Sequence, residues 1–293
     1  MMATSIQVDS AAFPCPMCGA RKSVFLAARV RNGKEYRLAA CQQCGQHYCD
    51  PAPTPDEIRG FYSGDYHVEL RSAGGTESAF GKKFASYRDW ILTFLKGGRS
   101  VDIGTATGLL PYMLKQSGFD AEGVEYNSRS AEWGSAHYGI PIRVGGTELV
   151  EKDLCSFDLI SMTDVLEHTE NPFHVLQGLY QSLKPRGLIL ITFPDIKSIE
   201  SRYGQMLASL SGRPWLWPYC QIPFHTWEFT QATALNMFEK AGFDAVGFRR
   251  SYAPPDPAPG VAKLLASPTR LLSLPPIARR WGTQMEFMIR RRG

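Results

Sequence analysis

The stretch VDIGTATGLL, Val101 to Leu110, decides how this chain folds. Val101 to Ile103 read as the end of a buried strand, Gly104 opens a tight turn, and an apolar helical pattern starts at Leu109. Working outward, strand and helix patterns alternate from Arg99 onward. SVDIG, AEGVEY, IRVG, FDLISMTD and GLILITFP read as strands; LLPYMLKQSG, SRSAEWGSAHYG and PFHVLQGLYQSLK read as helices. Such alternation predicts an α/β fold, a doubly wound, mostly parallel sheet with helices on both faces. Ligands in such sheets sit beyond the carboxyl ends of the strands, where Gly104, Glu125 and Asp164 fall.

The turn does not follow the dinucleotide fingerprint. Its first, third and sixth positions are Gly104, Ala106 and Leu109, and glycine recurs instead at Gly108. No basic residue lies in the loop, and Asp102 stands just before it, so a phosphate is disfavoured and an ammonium group is favoured. S-adenosylmethionine has that chemistry: an amino group, a carboxylate, a sulfonium and no phosphate. Asp102 is placed to accept from the amino group, the turn to approach the ligand with main chain, and Glu125 to hold both ribose hydroxyls.

The motifs VDIGTATG, GVEYN, GGTE, FDLISMTDVLEHTENP and LKPRGLILITFP together resemble the class I S-adenosylmethionine-dependent methyltransferases, over roughly Arg99 to Arg250. TDVLEHTENP followed by LKPRG is similar to the small-molecule branch that includes ubiquinone-type O-methyltransferases. The resemblance implies a Rossmann-like seven-stranded sheet whose last strand, QMEFMIRR, is inserted antiparallel beside DAVGFRRSY. It also implies cofactor contacts at Asp102, Gly104, Thr105, Ala106 and Gly108, ribose contacts at Glu125 with Tyr126 beside it, and adenine-side contacts near Thr147 and Asp164. Ala106 departs from the family's commoner glycine and is expected to be tolerated with negative φ. Asp164 has a second reading, as the cap of a helix starting near Leu166; Glu167 and His168 read as packing residues before catalytic ones.

At the front, CPMCG and CQQCG set Cys15, Cys18, Cys41 and Cys44 in two pairs, a spacing suited to a closed tetrahedral zinc site. The alternative is four free buried thiols. Between the pairs, SVFLAARV and EYRLAA flank the turn dipeptide Asn32-Gly33, a hairpin signal. This front is similar to the zinc-ribbon lead-in of some bacterial methyltransferases. Thr54, Pro55 and Glu57 form a helix-start signature. The expected organisation is a zinc ribbon over 1–52, linker helices over 53–98 with a tyrosine-rich loop in FYSGDYHVEL, and a methyltransferase domain over 99–293.

The run 195–230 is long and aromatic, and is expected to form a lid. Tyr203, Trp215, Trp217, Tyr219, Phe224 and Trp227 are its candidates for stacking on a small-molecule acceptor, and His225 is the candidate catalytic base. A packed, noncatalytic His225 is the plainer alternative. The apolar and basic segment 261–282 suits a helical cover, with contact to a membrane surface or another subunit as the alternative.

Charge and composition narrow the classes. A net charge of +4 argues against a nucleic-acid partner, and no apolar run is long enough to span a membrane. The N-terminus lacks a secretory pattern, and the seven cysteines suit a reducing compartment, so a cytoplasmic location is expected. Small-molecule O-methylation leads; an RNA-modifying methyltransferase and a noncatalytic cofactor-binding module are the competing readings.

Overall fold

The structure, a computed structural model, describes residues 8–10, 14–15, 17–62, 71, 74–213, 216–217, 220–252 and 275–293. Two sheets organise it. The first is built on a hairpin: β2 (Lys22–Arg31) pairs antiparallel with β3 (Lys34–Cys41). Asn32 and Gly33 both take positive φ, 52° and 77°, which gives the two-residue turn the twist of its strands. β1 (Val8–Ser10) flanks β2, and β4 (His47–Asp50) flanks β3. The fifth strand comes from far along the chain. β10 (Trp227–Glu228) pairs antiparallel with β4, with Trp227 opposite Tyr48 and Glu228 opposite His47.

Helix α1 (Pro55–Tyr62) starts as its sequence predicts: Thr54 N–H donates to Glu57 Oε2 at 2.7 Å and Glu57 N–H to Thr54 Oγ1 at 3.2 Å. Helix α2 (Gly75–Phe94) begins well before Phe84, where the helical spacing of apolar residues starts in the sequence. Its first turn is fastened by polar side chains, which leave no apolar periodicity. Thr76 hydrogen-bonds Thr107 at 2.7 Å, and Tyr138 donates to Glu77 at 2.6 Å.

The second sheet uses β5 (Gly98–Ile103), β6 (Phe119–Glu125), β7 (Ile142–Val144), β8 (Phe157–Thr163), β9 (Leu183–Pro194), β11 (Phe243–Ser251) and β12 (Gln284–Arg291). Its order is β11-β12-β9-β8-β5-β6-β7, parallel throughout except that β12 lies antiparallel between β9 and β11. This is the expected seven-stranded arrangement. The intervening helices are α3 (Leu109–Gln116), α4 (Ser128–Tyr138), α5 (Glu148–Glu151), α6 (Pro172–Ser182), α7 (Ile199–Ser211), α8 (Gln231–Lys240) and α9 (Pro275–Trp281).

One apolar core joins the sheets. Cys15, Cys41, Tyr48 and Trp227 belong to the same buried cluster as Ile103, Ile160, Ile191 and Phe287. Burying a side chain of this size stabilises by about 1.5–3 kcal/mol, so the ribbon and the large sheet support each other. The lid expectation changes here. Trp217 and Trp227 are each 2% exposed, and their indole N–H groups donate to Ser201 and to the Thr169 carbonyl, which makes them packing residues. Tyr203 and Phe224 stay on the surface. Trp215, Tyr219, the loop 63–70 and residues 261–274 of the apolar and basic segment lie outside the described residues. Among the described residues no helix is long and apolar enough to cross a membrane.

Candidate functional site

The carboxyl ends of β5, β6 and β8 bring the predicted residues together. Asp102, on β5, is 2% exposed and accepts from Ser161 Oγ of β8 at 2.6 Å. Burial pushes its carboxyl up to about 7, with the neighbouring charge of Glu125 adding to the rise. Gly104 and Thr105 both donate N–H to the Val124 carbonyl, at 2.9 and 3.1 Å, which ties the turn to β6. A Cβ on Gly104 would lie 2.4 Å from Val165 Cγ2, and one on Gly108 2.7 Å from Ile140 Cδ1, both at positive φ. Only glycine fits these two positions.

Glu125 closes the loop. Its Oε2 accepts from Ala106 N–H at 2.7 Å and its Oε1 from Asn127 N–H at 2.8 Å, so the carboxylate is held in one orientation. Ala106 takes φ +52°, contrary to the negative value expected, a left-handed conformation that costs an alanine about 1–2 kcal/mol. Tyr126, 47% exposed, follows directly. Gly145 N–H donates to the Glu125 carbonyl at 3.0 Å, which brings the turn carrying Thr147 beside this acid. The site therefore offers a glycine cradle, a braced acid and a second, buried acid, a donor and acceptor set that fits S-adenosylmethionine.

Asp164 ends β8 with φ +57°. It caps no helix by its side chain; the 3₁₀ turn Leu166–His168 has no side-chain cap. Its carboxylate accepts from Lys83 Nζ at 2.6 Å, from Thr192 Oγ1 at 3.2 Å and from the Gln284 amide. Burial acts to raise the Asp164 carboxyl, but the Lys83 charge outweighs it and holds the group below the usual range. Lys83 had no sequence signal, since a single lysine on a helix reads as solvated surface.

Four titratable side chains gather next to it. Glu167 is 1% exposed with neither oxygen hydrogen-bonded, and burial, with Asp164 nearby, pushes its carboxyl up to about 8. His168, partly exposed, meets a carbonyl: its Nδ1 donates to Phe224 O at 2.8 Å. Since a carbonyl only accepts, Nδ1 carries the proton and Nε2 holds the lone pair in the neutral ring. Burial and the His225 charge lower His168 to about 3. His225 is 4% exposed, edge-on to His168 with ring centroids 4.8 Å apart, and its Nδ1 lies 3.2 Å from Glu228 Oε1. Burial acts to lower His225, but the carboxylates of Glu228, Glu167 and Asp164 outweigh it and raise it to about 9. His225 is thus a cation near neutral pH. Glu167 and Glu228 were not singled out in the sequence as chemical groups, because isolated acids among apolar residues carry no spacing signal.

At the ribbon, Cys15 and Cys44 sulfurs lie 3.5 Å apart and Cys18 and Cys41 sulfurs 3.6 Å apart. The two knuckles repeat one geometry: Gly19 N–H returns to the Cys15 carbonyl at 2.7 Å and Gly45 N–H to the Cys41 carbonyl at 3.0 Å, with φ of 74° and 76°. Four sulfurs at this spacing approach the edges of a tetrahedron around an ion with metal–sulfur bonds of about 2.3 Å, so the cluster is compatible with a zinc ribbon.

Comparison with known proteins agrees with this geometry. Residues 80–247, more than half of the chain, match a family profile described as a methyltransferase domain. The chain is similar to the ubiquinone biosynthesis O-methyltransferase of Ralstonia nicotianae, 25% identical over 112 residues, which are 36% of this chain and 47% of that protein. Its counterpart from Cereibacter sphaeroides is 25% identical over 160 residues, 52% of this chain and 62% of that protein. The chain spans about half the length of the curated relatives it matches. In fold it is similar to magnesium protoporphyrin IX methyltransferase from Synechocystis PCC 6803, with a TM-score of 0.55 at 13% identity, covering 81% of this chain and 100% of that one. A methyltransferase of Thermotoga maritima gives 0.51 at 19% identity, covering 78% and 100%.

Proposed function

We propose that this chain, which belongs to the class I S-adenosylmethionine-dependent methyltransferases, methylates an oxygen of a small metabolite. The observation that carries the cofactor assignment is the Glu125 carboxylate, braced by the Ala106 and Asn127 amides at the mouth of the glycine turn. In this reading Glu125 holds the ribose, with Tyr126 beside it. Gly104, Thr105, Ala106 and Gly108 bring main chain to the methionine and adenosine portions. Asp102 serves the amino group, and the Thr147 turn and Asp164 lie on the adenine side. When bound, the cofactor supplies an electrophilic methyl on sulfur; the protein's task is to hold an acceptor oxygen in line with it.

The acceptor's proton and developing charge fall to the cluster at the end of β8. His225 is the proposed catalytic histidine, but as a cation near neutral pH it has no lone pair to act as the base expected from the sequence. In this reading it favours the deprotonated acceptor oxygen, and the lone pair at Nε2 of the neutral His168 ring takes the proton. Oxygen as the attacked atom is favoured by the ubiquinone O-methyltransferase relatives, loosely, at their 25% identity. The four-cysteine cluster is proposed to hold a structural zinc ion with no open position.

The test is a metabolite extract incubated with protein and S-adenosylmethionine and followed by mass spectrometry for products gaining one methyl. A product absent when Glu125→Ala replaces the native protein supports the reading. Tight cofactor binding with no product across the extract overturns it in favour of a noncatalytic binding module.

A further inference from the structure

The histidine cluster and the ribbon are parts of one construction. β10 has two residues, and its ladder partner is β4 of the ribbon, not a strand of the large sheet. Two further bonds fasten the same place, and a third, within the ribbon, orients the Gln46 amide that makes one of them. Cys49 N–H donates to the Thr226 carbonyl at 2.9 Å, and the Gln46 amide nitrogen donates to the carbonyls of Glu228 and His47 at 3.1 and 2.9 Å. A strand this short has little intrinsic preference for its position, so the ribbon side supplies it.

From this strand the Glu228 side chain, 1% exposed in its residue as a whole, reaches back along the chain. Its Oε1 accepts from Gln221 N–H at 3.1 Å and faces His225 Nδ1 at 3.2 Å, so one carboxylate staples both the start and the middle of the segment 221–228. Phe224, inside that segment, gives its carbonyl to His168. Both imidazoles are therefore oriented by a segment whose anchor is Glu228. A carboxylate this deeply buried is costly unless a cation matches it, and His225 is the cation in contact.

We propose that Glu228 is a positioning residue, seated by the ribbon, that orients His225 and through it the His168–His225 pair at the end of β8. The four-cysteine ribbon is then a scaffold of the reaction centre and not an appended binding module. The inference rests on reading that end of the sheet as the acceptor side.

The groups facing His225 are Glu228 from β10, Glu167 and His168 from the 3₁₀ turn, and Asp164 from the end of β8. The experiment follows the histidine ring resonances of the full-length, metal-loaded protein by NMR across pH, with S-adenosylmethionine affinity measured alongside by calorimetry. Glu228→Gln keeps an acceptor oxygen and removes the charge. It is expected to move the His225 titration toward acid by about one pH unit or more, with cofactor affinity unchanged. Glu228→Asp is expected to restore most of the shift. Gln46→Ala, which loosens the ribbon's grip without touching the carboxylate, is expected to move the same resonance in the same direction by less. An unmoved His225 titration in Glu228→Gln overturns the positioning role, and an unmoved one in Gln46→Ala overturns the ribbon's part in it. Should Glu228→Gln not fold, Gln46→Ala and Glu228→Asp decide the matter by the same resonance. Native protein that fails to bind S-adenosylmethionine while His225 titrates as expected refutes the transferase reading alone.

Discussion

Ala106 donates its backbone N–H to Glu125 Oε2 at 2.7 Å, and does so from a left-handed conformation with φ +52°. This bond joins the turn after β5 to the acid that ends β6, and it sets the shape of the proposed cofactor cradle. The carboxylate holds the turn, and the left-handed backbone at Ala106 is the strain that this contact offsets.

The acid comes first. Glu125→Ala is expected to weaken S-adenosylmethionine binding by about 1.5–3 kcal/mol, the worth of hydrogen bonds to a charged group, which is roughly ten- to a hundredfold. Calorimetry checks it, and an affinity equal to that of the native protein removes Glu125 from the ribose.

At the strained partner the expected sign is opposite. Ala106→Gly relieves a left-handed alanine, a gain of about 1–2 kcal/mol, offset by about 0.4–1 kcal/mol from the greater freedom of glycine in the unfolded chain. The variant should be as stable as the parent or slightly more so in urea unfolding. Clear destabilisation contradicts the strained geometry.

Asp102 makes a pH prediction. Its carboxyl is raised to about 7 by burial, above its unfolded value, so the native state keeps a proton that the unfolded state has lost. Stability from this group therefore falls as pH rises from about 4 to about 7 and stays low above that. Asp102→Asn should remove this slope and leave the protein without cofactor more stable than the parent at pH 8, with the difference narrowing toward pH 4. Equal slopes in parent and variant, measured by denaturant unfolding, refute the assignment.

The ribbon predicts about one zinc per chain. Cys18→Ser or Cys41→Ser should lose the metal and lower the thermal midpoint of the whole protein, because Cys41 and Tyr48 share a core with the large sheet. Metal analysis that finds full zinc in both variants refutes the four-cysteine site. A separate, earlier transition confined to the ribbon contradicts the shared core.

Much of this was legible in the residues themselves. Alternating apolar patterns from Arg99 onward specified strands and helices, and the seven-stranded order followed from their resemblance to a family. The knuckle spacing of Cys15, Cys18, Cys41 and Cys44 placed four sulfurs together, and Asn32-Gly33 turned the hairpin between them. These features are local: a periodicity, a spacing or a turn dipeptide acts through neighbours within a few residues. Only the tertiary structure decided what depends on distant pairings. β10 crosses to the ribbon, Lys83 reaches Asp164, and two tryptophans expected in a lid are buried in apolar clusters with ribbon residues. Glu167 and Glu228 acquire their chemistry in the same way, because a carboxylate becomes unusual only when other parts of the chain exclude water around it. A two-residue strand and a single acid have no period to read, so their roles exist only once the chain has closed around them.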